Sequence, residues 1–225
     1  MKKLFLSLIA AATIFAANAQ EAEVVKVDPK VILEKVEKAK APTLDSKKNQ
    51  KAATWFKYAE ALNEAYNINI RNIFIGAEAK QIVASMGAPI NADKVPIKEI
   101  GGKEYKLYNY PNVDVYFTMD DKVAFYIENN VPYPNALEQE EVALLKALSL
   151  DPKLKEKIDP MLANLANNYL LCMQNLFTFR NFKDAIPYAE KAARLQENPA
   201  VKDPKFLESY YFAVVCAMQG TDYKS

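Results

Sequence analysis

The sequence predicts an α+β fold: antiparallel helical hairpins interrupted by a small inserted module of one or two helices on a three- to four-stranded antiparallel sheet. Three observations predict it. Residues 55–62 place Trp55 and Ala59 at helical spacing. Apolar and polar residues then alternate through residues 95–128, as half-buried strands require. After Pro134 the helical period returns and continues through the rest of the sequence.

Residues 1–19 have the composition of a secretory signal peptide. Lys2 and Lys3 precede an apolar run at residues 4–16, and an A-x-A cleavage site ends at Ala19. The apolar run is too short for an ordinary membrane-spanning helix, which needs about 20 such residues. We therefore expect cleavage after Ala19 and export to the periplasm of a chain without a transmembrane segment.

Residues 20–66 are predicted to form the N-terminal helices. Asp28 has the character of an N-cap, and Pro29 that of a first helical residue. A second helix carries the Trp55 pattern, and either Asp45 or Ser46 is expected to cap it.

Residues 67–134 are predicted to form the inserted module. Ile82 and Met86 give one apolar face to a short helix, which Gly87 ends. Runs rich in β-branched and aromatic residues follow, separated by glycine and aspartate turns. These runs predict strands at residues 95–100, 103–110, 113–118 and 122–128.

The alternation also predicts the register of the last hairpin in this module. A three-residue loop at 119–121 places Phe117 opposite Val123 and Val115 opposite Phe125, which keeps the apolar side chains on one face.

On this register Tyr116 and Tyr126 share the other face of the sheet. They form either an exposed aromatic patch or part of a face that docks on the helices. Docking is favoured, because a sheet commonly buries one face against neighbouring elements.

Residues 135–225 are predicted to supply the partner of the Trp55 helix, followed by further helical hairpins. The returning helix contains Ala147 and ends before Pro152. Later helices are predicted at residues 158–179 and 181–196, and from Pro204 onward.

The helical part resembles the tetratricopeptide repeat family, whose unit is a helix–turn–helix of about 34 residues. The residues that match its first helix are Trp55, Tyr58, Ala59 and Leu62. An uninterrupted repeat would place its usual second-helix alanine at residue 71. The spacing of Ala147 and Pro152 instead places that site at Glu140, which is 69 residues later. The arrangement looks like that of exported repeat proteins common in Bacteroidetes, which implies a protein-interaction role.

The inserted module resembles the small lipoprotein of the outer-membrane β-barrel assembly machinery, the SmpA/OmlA type. The matching residues are Gly76, Ile82, Met86, Gly87 and Pro89. Ala77-Glu78 stands where that family has Met-Thr, and its lipid-bearing cysteine is missing. The resemblance implies helix packed on a small sheet. The assembly function is not carried over, because small folds host many unrelated functions.

The repeat resemblance also implies a concave face, lined by first helices, that binds an extended peptide. The residues at positions that point to this face are Phe56, Glu60, Asn63, Asn167, Leu170, Gln174 and Tyr211. We expect Asn167 and Gln174 to pair with a peptide backbone, and Phe56, Leu170 and Tyr211 to provide apolar contacts. The alternative is that an array of so few repeats buries this face against itself or against the inserted module.

The sequence offers little for catalysis. Glu138, Glu140 and Glu141 suggest paired catalytic carboxylates, but acids at a helix start also complement the helix dipole. No residue that would raise their pKa is expected beside them. The chain has no histidine, which excludes Ser-His-Asp catalysis and histidine-ligated metals. With no phosphate loop or metal-ligand motif in the sequence, we predict no catalytic residue, metal or cofactor.

Charge and cysteine content set two further expectations. Removing Lys2 and Lys3 from 29 basic residues leaves 27 against 28 acidic ones, a net charge of −1. No nucleic-acid partner is therefore predicted, because nucleic-acid binding needs a basic face. Cys172 and Cys216 lie in apolar contexts, which favours two packed thiols. Export leaves a disulfide between them as the other possibility.

Together these patterns predict a non-enzymatic scaffold, exported to the periplasm, that binds an unknown protein or peptide on its helical face. The alternative is an envelope-associated accessory protein whose β module binds outer-membrane protein or peptidoglycan. The sequence does not set the oligomeric state.

Overall fold

The computed structural model describes residues 28–220, with the side chains at 212, 213, 215–217, 219 and 220 left aside. The predicted signal peptide lies outside this range. The described chain divides into two compact units. The insert unit comprises residues 69–130, and the helical unit comprises residues 28–68 and 131–220.

The described helices and strands give an α+β fold, as the sequence predicts. The helical unit contains α1 (Pro29–Lys40), α2 (Ala52–Tyr66), α4 (Ala136–Leu150), α5 (Lys155–Thr178), α6 (Phe182–Leu195) and α7 (Pro204–Gly220). The insert unit contains α3 (Ala79–Met86) and the strands β1 (Ile97–Ile100), β2 (Lys103–Asn109), β3 (Val113–Phe117) and β4 (Val123–Glu128).

The helix starts show which capping predictions hold. Asp28 is the N-cap of α1, where its carboxylate accepts from the backbone N–H of Lys30 at 2.9 Å, and Pro29 opens the helix. The expected cap of α2 was wrong. Asp45 instead accepts from the N–H groups of Lys47 and Lys48 in a preceding turn, so the chain satisfies those donors before α2 begins.

The helix that carries Trp55 packs against the helix that carries Ala147, as predicted. Ala59 on α2 and Ala143 and Ala147 on α4 are completely buried in the same core. Small side chains at these positions let the two helices approach closely. The pairing joins segments that are separated in sequence by the whole insert unit.

The next two helices form the predicted hairpin. A turn at 179–181 joins α5 to α6, and Arg180 adopts a left-handed conformation there with φ of 69°. The N–H of Asn181 reaches the carbonyl of Leu176 at 2.8 Å, which satisfies the end of α5. The terminal helix α7 packs mainly on α6.

The insert unit is one antiparallel sheet in the order β1-β2-β3-β4, with a single helix among its described residues. Glu78 and Gln81 form a capping box at the start of α3, and Gly87 ends that helix at φ of 88°. Main-chain hydrogen bonds of 2.8 Å tie Gly76 and Ala77 to Val123, so this segment lies along the outer edge of β4.

A β-bulge changes the predicted register of the last hairpin. Phe117 pairs with Val123, as predicted, but Tyr116 pairs with Phe125 and Val115 with Tyr126. The bulge adds one residue, Ala124, to β4. The residues of β4 that follow it therefore point to the opposite faces from those predicted.

The two tyrosines therefore form no exposed aromatic patch. Tyr116 and Tyr126 lie on opposite faces of the sheet, and each is only 5% exposed. The Tyr116 ring stacks on Phe125, with centroids 4.4 Å apart, in a core that also holds Tyr105 and Leu107.

Candidate functional site

The seven predicted partner-binding residues lie on α2, α5 and α7, and they differ in exposure. Glu60 is exposed and Tyr211 is 61% exposed. Phe56 and Gln174 are half-buried. These four side chains remain candidates for contact with a partner.

The other three are engaged within the molecule, and their contact with a peptide stays a prediction. Leu170 is 7% exposed and belongs to the helical core. The side-chain amide of Asn63 donates to Glu140, and that of Asn167 donates at 2.9 Å to the carbonyl of Ala163 in its own helix. An amide committed to an internal acceptor would have to break that bond before it could bind a peptide.

Exposed apolar side chains form a stripe on α7. Leu207, Tyr211 and Met218 are spaced four and seven residues apart, which places them along one side of the helix. Each is at least two-fifths exposed. Such stripes often mark interaction surfaces.

A charged ladder between α4 and α6 was not foreseen from the sequence. The Glu138 carboxylate lies 2.5 Å from the Lys191 ammonium, and the Glu141 carboxylate lies 2.6 Å from the Arg194 guanidinium. The second pair lies three residues after the first on both helices, so the two helices run in the same direction at this contact. Equivalent helices of successive hairpins have this relation.

Aromatic residues complete the ladder. The Tyr169 hydroxyl donates to Glu141 at 3.0 Å, and the Lys191 ammonium lies 5.7 Å and 5.1 Å from the ring centroids of Tyr169 and Tyr188. Burial, followed by the nearby Glu141 charge, raises the pKa of Tyr169. The hydroxyl therefore stays protonated and continues to donate. These contacts brace α4, α5 and α6 together.

Glu140 is the unexpected member of this acidic segment. Its side chain is 0% exposed in the core, and the Asn63 amide nitrogen lies 3.2 and 3.4 Å from its two oxygens. Burial raises the pKa of this carboxyl to about 8, while the Asn63 hydrogen bond opposes the rise. The expectation that no neighbour would raise a pKa here was wrong, because the desolvating groups come from helices distant in sequence.

One sequence signal for Glu140 was available. The repeat pattern expects a small apolar residue at this position, so an acid there is placed on the buried face of the helix. A buried carboxyl without a cation retains its proton more strongly than a surface one.

Cys172 lies half-buried in α5, and its sulfur is 3.3 Å from the Tyr66 hydroxyl. The side chain of Cys216 is outside the described residues, so both alternatives for this pair stay predictions.

Comparison of the chain with protein-family models, with curated proteins and with solved structures found no match. Over residues 28–220, none of the helices is both long enough and apolar enough to cross a bilayer. In the same range no three acidic or cysteine side chains are grouped so that they could hold a metal ion.

Proposed function

We propose that this chain is an exported protein-interaction module whose helical unit presents α2, α5 and α7 to a protein or peptide partner. The observation that carries the proposal is the exposed stripe of Leu207, Tyr211 and Met218 on the terminal helix. Large apolar side chains at the surface gain free energy when a partner removes them from water.

Two features of the helical unit support a repeat-type scaffold. Buried alanines line the α2–α4 pair, and Ala185, Ala189 and Ala192 are buried on α6. The α4–α6 ladder gives these helices the same direction, as equivalent helices of successive repeats would have. Both features agree with the tetratricopeptide resemblance, whose members act by holding partners. Location in the periplasm is the part of the proposal that rests on residues 1–19 alone.

Site-specific photo-crosslinking in cells that export the protein tests the proposed face. A photo-reactive phenylalanine at Glu60 or at Tyr211 should capture the same partner. Val142 provides a matched control. Its exposure of 62% is close to that of Tyr211 at 61%, but it lies on α4, outside the proposed face. Equal capture from Val142, or different partners from Glu60 and Tyr211, would contradict the proposal.

A binding variant complements the crosslinks. Tyr211→Ser should weaken capture of that partner by about tenfold or more, because exposed tyrosines are frequent binding hot spots. Val142→Ser should leave capture unchanged. Neither substitution should alter the melting temperature by more than a few degrees, since both sites are exposed.

The insert unit carries a second candidate function, binding of envelope material. Its exposed apolar residues are Phe74, Ile90, Ile97 and Met119. These side chains suit an outer-membrane protein partner better than peptidoglycan, which is polar. Removal of residues 69–130 separates the two functions, because only the second one needs the insert unit.

A further inference from the structure

A buried acid with a single neutral partner lies between two helices of the helical unit. Glu140 projects from α4 into the core, and Asn63 on α2 donates to its carboxyl at 3.2 Å. The two residues are 77 positions apart in sequence, so their contact forms only when α2 and α4 are paired.

The charged and titratable groups around this contact are engaged elsewhere. Such groups on the helices packed near α4 contact partners other than Glu140. On α6, Lys191 pairs with Glu138 and Arg194 with Glu141; on α5, Tyr169 bonds Glu141; on α2, Tyr58 bonds Gln139 and Glu64 pairs with Lys35. Within residues 28–220, Asn63 is the one side chain that donates a hydrogen bond to Glu140.

This arrangement accommodates the protonated acid and penalises the carboxylate. A charge buried beside one neutral donor loses its hydration without a compensating cation. The same loss of hydration raises the pKa of the Glu140 carboxyl to about 8. An ionised Glu140 regains hydration only if water enters between α2 and α4.

We infer that Glu140 and Asn63 form a pH-sensitive contact that keeps α2 paired with α4 while the carboxyl is protonated and loosens the pair when the carboxyl ionises. The partner-binding role of the helical unit is not needed for this inference. The transition falls at the alkaline edge of the physiological range, and α5 and α6 are held to each other by their own packing and by the turn at 179–181.

An NMR titration of the full chain with ¹³C-labelled glutamate side chains tests whether the Glu140 carboxyl keeps its proton at neutral pH. Glu140→Gln identifies the Glu140 signal by its loss. This signal should titrate near pH 8, whereas an unperturbed glutamate titrates near about 4.3. Titration of Glu140 together with the surface glutamates would overturn the inference.

Amide hydrogen exchange at pH 6 and pH 9, corrected for the intrinsic base-catalysed rate, tests whether the α2–α4 pair loosens when this carboxyl ionises. Opening of α2 and α4 should increase by about a hundredfold over this range in the wild type, because the carboxyl titrates near pH 8 when buried and near about 4.3 when exposed. Glu140→Gln should abolish the increase. Glu64→Gln, a surface acid on α2 paired with Lys35, should retain it.

A second variant keeps the test decisive if Glu140→Gln folds poorly. Asn63→Ala removes the hydrogen bond that favours the ionised form, so the midpoint should move to higher pH. An unchanged or lower midpoint would overturn the inference, as would equal opening of the α5–α6 hairpin.

Discussion

Ala59 shows how a single small residue determines the pairing of two helices. Its side chain is completely buried where α2 packs against α4. Protein cores are packed as tightly as organic crystals, so extra carbon atoms at such a site force neighbours to move.

We expect Ala59→Leu to destabilise the helical unit by about 1–3 kcal/mol through overpacking. Urea unfolding followed by the fluorescence of Trp55, the one tryptophan of the chain, measures this change. Ala53→Leu, an exposed site on the same helix, is the control and should change stability by no more than about 0.5 kcal/mol. Equal effects of the two substitutions would show that Ala59 does not govern the helix pairing.

Individual residues also show where sequence reasoning ends. The repeat resemblance assigns Leu170 to an open concave face, whereas this side chain belongs to the helical core. The reason is that α5 contacts α4, α6 and α7, so it is enclosed on more sides than an isolated hairpin would be. Likewise, the burial of Glu140 depends on α2, which no local pattern around Glu140 reveals.

At the scale of elements, side-chain amides join the two ends of the insert unit. The Asn69 amide donates to the carbonyl of Asn130 at 2.8 Å, Asn130 donates to Asn112, and Asn112 donates to Asn69. Asn69 also donates to the Glu128 carboxylate at 3.1 Å. This asparagine ring connects the first residue, the last residue and the β2–β3 turn.

Glu128, which accepts from this ring, gives the insert unit a pH dependence. Burial raises the pKa of Glu128 to about 7, although the Asn69 hydrogen bond opposes the rise. The unfolded chain releases this proton near about pH 4.3, so the folded unit binds more protons between pH 4.3 and 7. Stability from Glu128 is therefore complete below this window and lost as the pH rises through it.

We expect the protection of β3 and β4 amides against exchange to fall between pH 5 and pH 8, equivalent to about 2 kcal/mol of opening free energy. Glu128→Gln should remove most of this dependence, because the amide cannot ionise in this range. Glu99→Gln, at an exposed site on β1, should retain it. A pH dependence that persists in Glu128→Gln would assign it to another group.

The strands show which features of an element a sequence pattern can predict. Alternation places all four strands within a few residues of their observed positions. It also gives the correct partner for Phe117, next to the loop. The bulge at Ala124 escapes prediction, because an unpaired residue depends on backbone hydrogen bonding across the strands rather than on the apolar pattern.

At the scale of the whole molecule, the chain leaves the helical unit after residue 68, forms the insert unit, and returns to the helical unit at residue 131. The core that contains Ala59 and Ala147 draws its residues from the helical unit alone. The insert unit has its own core around Tyr116 and Phe125. Separate cores explain why the predicted segment boundaries at residues 67 and 134 fall close to the unit boundaries at 69 and 130.

This organisation leads to a prediction about deletion of the insert unit. Asn69 and Asn130 are joined by a 2.8 Å hydrogen bond, so residues 69–130 can be replaced by a linker of about four glycine and serine residues. We expect the shortened chain to fold, with α2 and α4 still paired, because no residue of the helical core is removed. Cooperative unfolding monitored by Trp55 fluorescence and helical circular dichroism measures this outcome.

The same deletion also decides between the two candidate functions. Insertion of the linker between Ile68 and Asn69, with nothing deleted, provides the control for the junction itself. If the helical unit binds the partner, the shortened chain should still crosslink through Tyr211 at an efficiency close to that of the control. If the insert unit binds envelope material, co-sedimentation with that material should disappear while the fold is retained. A shortened chain that lacks a cooperative transition, beside a control that unfolds normally, would mean that the helical unit depends on the insert for its stability, contrary to its separate core.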